Sequence, residues 1–262
     1  MKWKLNTYRI LTKRQVALVL LVLFLLALAV IAAAAAIPYA YANAVAASKR
    51  KLPIYCTDRA EKVVSLTFDA AWGDEDTPKL IEILGKYGVK ATFFVVGDWV
   101  DRCPDSVKAL HEAGHEIMNH SNTHPHMPTL SREKMLEEIR TCNDKIQAIT
   151  GVCPTLFRAP YGDYDNATIE TVEAAGMYCI QWDVDSLDWK DPPVSDLIKR
   201  TVQNVRSGSI VLFHNAAKNT PEALPSIIEG LQEQGYTFLP VSAMIYTENY
   251  TINHEGRQMA VR

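Results

Sequence analysis

Five short clusters carry side chains that could do chemistry: Thr67-Phe68-Asp69, His120-Ser121-Asn122-Thr123-His124, Arg158-Ala159-Pro160-Tyr161-Gly162, Asp185-Ser186-Leu187-Asp188-Trp189 and Leu212-Phe213-His214. In order they offer a carboxylate, a histidine pair, an arginine before a tight turn, a second carboxylate beside an aromatic ring, and a lone histidine. A carboxylate and a histidine can move protons, paired imidazoles can bind a transition metal, and an arginine can keep a carboxylate ionised. That inventory suits metal-assisted hydrolysis of an amide or ester. Pro125 disfavours helix at His124, so the histidine pair is read as a loop pair.

Each cluster sits where a predicted strand ends. Val63 to Phe68 is a short β-rich run; Thr77 as N-cap and Pro78 in the first turn then start a helix whose apolar face is Leu80, Ile83, Leu84 and Tyr87. The alternation continues with a strand over 91–96, a helix over 104–113, a strand over 116–118 and a long helix capped by Ser131 and stopped by Gly151. Thr155 to Phe157 leads to the arginine, and a helix capped by Asn166 precedes a strand over 178–182. A helix over 194–206, a strand over 209–213, a helix from Thr220 and a strand over 236–239 complete the pattern. About seven strands alternating with helices argue an α/β fold, a distorted (β/α) barrel of parallel strands, with an open doubly wound sheet as the alternative. In such a barrel, residues just past the strand ends share one mouth. The tail after Tyr246 is polar and is expected to wrap the domain or to be mobile.

Residues 1–48 read separately. Lys2, Lys4, Arg9, Lys13 and Arg14 precede an uncharged apolar run over 16–36. A run of about 20 apolar residues can span a bilayer, and the positive flank puts the N-terminus in the cytoplasm. The expectation is one N-terminal transmembrane signal-anchor, with residues 49–262 forming an extracytoplasmic catalytic domain. Cleavage at Ala40-Tyr41-Ala42 or Ala44-Val45-Ala46 would make the domain secreted instead. With 27 basic and 30 acidic residues the chain has no electrostatic footprint for nucleic acid. No Gly-rich fingerprint follows the first strand, and no obligate protein partner is evident. All five cysteines, Cys56, Cys103, Cys142, Cys153 and Cys179, lie after residue 49; Cys142 and Cys153 flank a helix end and could meet.

The five clusters resemble the ordered motifs of the polysaccharide deacetylases, carbohydrate esterase family four with its chitooligosaccharide-deacetylase homology domain. The resemblance covers residues 60–240. The apolar leader, Phe68-Asp69-Ala70-Ala71-Trp72-Gly73 and the ending Asn253-His254-Glu255-Gly256-Arg257 look most like the sporulation-associated branch of spore-forming Firmicutes. The resemblance implies Asp69 as general base, with Arg158 gripping it bidentately. It implies His120 and His124 as ligands of a divalent metal, zinc or another transition ion, and the Tyr161 backbone N–H as an oxyanion donor. His214 would be the general acid, oriented by Asp188, with Trp189 and Leu212 as walls around sugar and acetyl group. His126 has no family role, and Asp183 and Asp185 are read as hydrogen-bonding loop backbone.

The chain departs from the family pattern at one position. The family's second aspartate, a metal ligand, is here Ala70. Asp74 could supply the carboxylate, water could replace it with weaker metal affinity, or the metal could be lost. The expected function is removal of N-acetyl groups from amino sugars of peptidoglycan or a related cell-wall or spore polysaccharide. The alternatives are a catalytically impaired glycan-binding module and an O-acetyl esterase.

Overall fold

In the computed structural model the described residues are 12–47 and 50–261, and they divide into two units, one ending at Arg50 and one running Lys51–Arg262. The first contains helix α1 (Lys13–Ala47), in which Arg14–Ala32 has a mean hydropathy of 3.0 and is long and apolar enough to cross a membrane. Lys2, Lys4 and Arg9 lie outside the described residues.

The second unit is built on β2 (Val63–Ala70), where every residue is buried, as a strand covered on both faces requires. The elements run β1 (Cys56–Thr57), β2, α2 (Thr77–Lys86), β3 (Thr92–Val95), α3 (Gly97–Arg102), α4 (Pro104–Glu112), β4 (Glu116–Asn119), α5 (Arg132–Thr150), β5 (Leu156–Phe157) and α6 (Asn166–Ala174). They continue through β6 (Tyr178–Cys179), β7 (Val184–Asp185), α7 (Val194–Asn204), β8 (Ser209–His214), α8 (Thr220–Glu233), β9 (Thr237–Phe238), α9 (Val241–Met244), β10 (Tyr250–Ile252) and β11 (Arg257–Ala260).

The sheet order is β10-β11-β1-β8-β2-β3-β4-β5-β6, with β7 against β8 and β9 against β2. The strands from β2 to β9 pair in parallel, as the βα alternation predicts. Closure comes from an unforeseen segment: Ile54 bridges Ile180 beyond β6, and two residues on, Cys56 pairs antiparallel with Ser209 of β8. The tail wraps, as one reading of it had it: β10 and β11 form a hairpin whose second strand pairs in parallel with β1. β1, β10 and β11 have only two to four residues and lie outside the strand–helix alternation, so nothing in the sequence pattern marked them.

One core lies between sheet and helices, with Val64, Leu66, Phe68 and Ala70 of β2 against Leu80, Leu84, Trp99, Leu224 and Ile228. Another, with Phe94, Met118, Leu156, Ile180 and Ile210, packs against Val241 and Met244 of α9. Each fully buried side chain of this size contributes about 1.5–3 kcal/mol. Successive side chains alternate across a strand, so even positions of β2 feed the helix-side core and odd positions, Asp69 among them, face the other way.

Several local expectations shift. Asp76, not Thr77, stands at the N-cap position of α2, and Thr77 is its first residue. Asp165, not Asn166, caps α6, accepting from the Thr168 N–H at 2.7 Å in a reciprocal capping box. Ser131 caps α5 as read, and Gly151 ends it with φ 74°. Cys142 and Cys153 do not meet: all five cysteines are free, Cys142 is buried against the Val95 carbonyl, and Cys153 is exposed.

Candidate active site

The sheet register brings the clusters together. Asp69 lies opposite Phe94 on one side and His214 on the other. Val95 pairs with Asn119, and Asn119 with Phe157, so His120 and Arg158 leave adjacent strands at the same level. Asp69, His120, His124, Tyr161, Trp189, Leu212 and His214 line one cavity of about 380 Å³, with Trp72, Trp182 and Asp185.

Arg158 is fully buried, its guanidinium 4.0 Å from the Phe94 ring centroid and 5.5 Å from that of Trp182. Its Nη1 donates to Asp69 Oδ1 at 2.7 Å, but Nη2 donates to the Gln181 carbonyl at 3.1 Å. The grip is therefore single, not bidentate, because Asp69 Oδ2 faces His120 instead. Burial by itself would raise the Asp69 pKa; the Arg158 charge, aided by the nearby histidines, brings it below the usual carboxylate value.

His120 is buried, and its Nδ1 donates to the Arg158 carbonyl at 2.8 Å. A carbonyl only accepts, so the proton sits on Nδ1 and Nε2 presents a lone pair. Burial, partly offset by Asp69, holds the His120 pKa below its ordinary value and keeps the ring neutral. Nε2 then looks at Asp69 Oδ2 across 3.4 Å. Two lone pairs at that separation are suited to sharing an electrophile. The His124 ring stands 5.0 Å from that of His120, with its pKa pushed down to about 4 by burial and by its neighbour.

His214 and Asp188 form a dyad. Nδ1 donates to Asp188 Oδ1 at 2.7 Å, while Asp188 Oδ2 accepts from the His214 backbone N–H and from Thr220 Oγ1, both at 2.8 Å. Burial opposes the charged imidazole, but Asp188 outweighs it and raises the pKa. Nε2 is left to face the cavity as a proton donor.

Backbone conformations with positive φ concentrate here. Ser121, His124, Tyr161, Leu187 and Ala216 have φ between 56° and 66°, all in loops beyond the strand ends. Such conformations are disfavoured for residues with a side chain and persist where surrounding contacts fix them. At Gly162, φ is 66° and a Cβ would lie 2.9 Å from the Trp182 ring, so the turn carrying Tyr161 requires glycine.

Three residues have other partners. Asp74 accepts from Ser106 Oγ at 2.7 Å and does not line the cavity, so it is not poised as the missing ligand. Asp183 accepts from the Ile210 N–H and from Ser209, and Asp185 accepts from the Leu187 N–H, the backbone roles read from sequence; Asp185 also reaches the cavity wall. Sequence reasoning missed Asn215. It is buried; its N–H donates to the Asp69 carbonyl, its Oδ1 accepts from the Ala71 N–H and its Nδ2 donates to the Gly73 carbonyl. Its position directly after His214 was the available signal.

Among the described residues no group of three or more His, Cys, Asp or Glu is arranged to hold a metal ion. The donors that are present, two neutral imidazoles, fit a borderline transition ion as a set one carboxylate short. Ala70 is a buried methyl in the core beside β3. His120 and His124 would hold the ion, which when bound would polarise an acyl oxygen.

A profile of the family described as polysaccharide deacetylase matches residues 57–180. A peptidoglycan-N-acetylglucosamine deacetylase of Bacillus cereus is 35% identical over 190 residues, 71% of this chain and 89% of that protein. The chain belongs to the polysaccharide deacetylase family. YlxY of Bacillus subtilis, an uncharacterized protein, is 33% identical over 74% of this chain, and the chain spans only 60% of its length. A solved structure of a CE4 family pseudoenzyme from Bacillus anthracis has 37% identity and a TM-score of 0.71 over 73% of this chain and 68% of that one. A mutant of that protein is described as having restored enzymatic activity, with 38% identity, the same TM-score, and 73% and 70% covered. The family's parallel-stranded fold is thus the fold of this domain.

Proposed function

We propose that this chain removes N-acetyl groups from amino sugars of peptidoglycan or a related cell-wall or spore polysaccharide. The observation that carries the reading is the pairing of two opposed proton-transfer groups on neighbouring strands. Arg158 favours the ionised form of Asp69, and Asp188 favours the protonated form of His214. In this mechanism Asp69 takes the proton of a water as that water attacks the acetyl carbonyl. His214 gives a proton to the departing sugar nitrogen, and acetate and a free amine result. The Tyr161 turn and the walls of Leu212 and Trp189 would receive the acetyl group. The apolar stretch of α1 supports a membrane-anchored, extracytoplasmic domain.

A second reading has its own support. Ala70 removes a carboxylate, and a structural relative is named a pseudoenzyme. On that reading the cavity binds glycan without cleaving it. The test is acetate release from N-acetylglucosamine oligomers and from peptidoglycan, after chelation and add-back of single divalent metals, with His214→Ala as control. Release that needs metal and His214 establishes the deacetylase. Saccharide binding without release under any metal establishes the binding module.

A further inference from the structure

Trp72 follows Asp69 by three residues, yet nothing in the reaction above uses it. The residue is 55% exposed, although the backbone around it is pinned. The Ala71 N–H donates to Asn215 Oδ1 at 3.2 Å, and the Ala71 carbonyl accepts from Arg102 Nη2 at 2.9 Å. The Gly73 carbonyl accepts from Trp99 Nε1 at 3.1 Å and from Asn215 Nδ2. The indole is therefore held out over the cavity by buried anchors on both sides of it. Its centroid is 5.9 Å from that of His124 and 6.4 Å from that of His214, so it spans the wall between the imidazole pair and the acid. In the Lys51–Arg262 unit, the exposed large aromatic residues among those described are Trp72, Tyr161 at 60% and Trp189 at 57%, and all of them line this cavity. Large exposed apolar faces gathered at one concave site mark where a ligand covers them.

We infer that Trp72 is a saccharide-positioning residue: its indole face stacks on the pyranose of an N-acetylhexosamine chain and holds that ring across His124 and His214. A pyranose presents a face of C–H groups with hydroxyls at its rim, which matches an indole with an apolar face and a polar edge. The inference rests on the reading of the cavity as a glycan site, but not on whether the site is catalytically active.

Calorimetric titration of the full chain in a zwitterionic detergent with the tetramer of N-acetylglucosamine tests it. Trp72→Ala is expected to weaken binding about tenfold, and Trp72→Phe to stay within about twofold, with unchanged thermal unfolding. Val152→Ala, which truncates an equally exposed apolar residue outside the cavity, is expected to change nothing. If the wild type binds and Trp72→Ala binds within about twofold of it, the inference is overturned while the glycan reading stands. If the wild type binds neither the tetramer nor a peptidoglycan fragment, both fall together.

Discussion

Asp69 and His214 are register partners on adjacent parallel strands, β2 and β8. Each carries its own buried counter-charge, Arg158 for the carboxylate and Asp188 for the imidazole. The two pairs push the two pKa values in opposite directions, Asp69 down and His214 up. Between the two values the carboxylate is ionised and the imidazole protonated, which is the state that proton shuttling needs.

Replacing Asp188 tests the upper pair. With the carboxylate present, His214 keeps its proton above the ordinary histidine value, so activity should fall only as pH rises through that raised pKa. Asp188→Asn is expected to bring the His214 titration down, read by NMR of the ring carbons. It should also shift the alkaline limb of the rate profile to lower pH and cut the rate by roughly 10²–10⁴. An unmoved His214 titration would show that Asp188 does not set it.

The lower pair is a stability question as well. Arg158→Met leaves Asp69 buried without its partner and is expected to cost about 3–5 kcal/mol in urea unfolding at neutral pH. The double change Arg158→Met with Asp69→Asn should recover part of that loss, because no charge is then stranded. Equal stability of the single and double variants would remove the argument.

His115 makes an acid-sensitive contact away from the cavity. It is buried, and its Nδ1 accepts from the Ala91 N–H at 3.2 Å. Burial, then the charge of Lys90, pushes its pKa down to about 4. Between the unfolded value near 6.5 and this folded value the unfolded chain binds the extra proton, so stability rises with pH across that window. This contribution is full above about 6.5 and is lost as pH falls toward 4, amounting to about 3 kcal/mol. His115→Asn, which keeps an acceptor, should flatten the dependence, measured by urea unfolding at pH 7 and pH 4.5.

Ala70→Asp probes the departure from the family pattern. In metal-free protein a carboxylate at this buried position is expected to cost about 3 kcal/mol. If it completes the set begun by His120 and His124, zinc at about 100 times its Kd should return about 2.7 kcal/mol, while the wild type responds less. Thermal unfolding with and without zinc measures this, and acetate release should rise alongside. A variant indifferent to zinc would mean that a carboxylate at position 70 stays in the helix-side core with its strand neighbours and does not reach the imidazoles.

The features legible in the sequence are local and periodic. Strand–helix alternation, the Ser131 and Gly151 ends of α5, and the position of each reactive residue at or just past the end of a strand could all be read from spacing, because each depends on neighbours within a turn or two. The apolar stretch of α1 was legible for the same reason. Features that depend on partners far along the chain emerge only on folding. Ile54 and the hairpin of β10 and β11 join strands distant in sequence. Arg158 divides its donors between Asp69 and Gln181, and Asp74 turns to Ser106. Asn215 ties the loop after Asp69 to the loop after His214 and so holds Trp72 over the cavity. A guanidinium or carboxylate can satisfy its hydrogen bonds with many groups, and only the packed sheet determines which of them lie within reach.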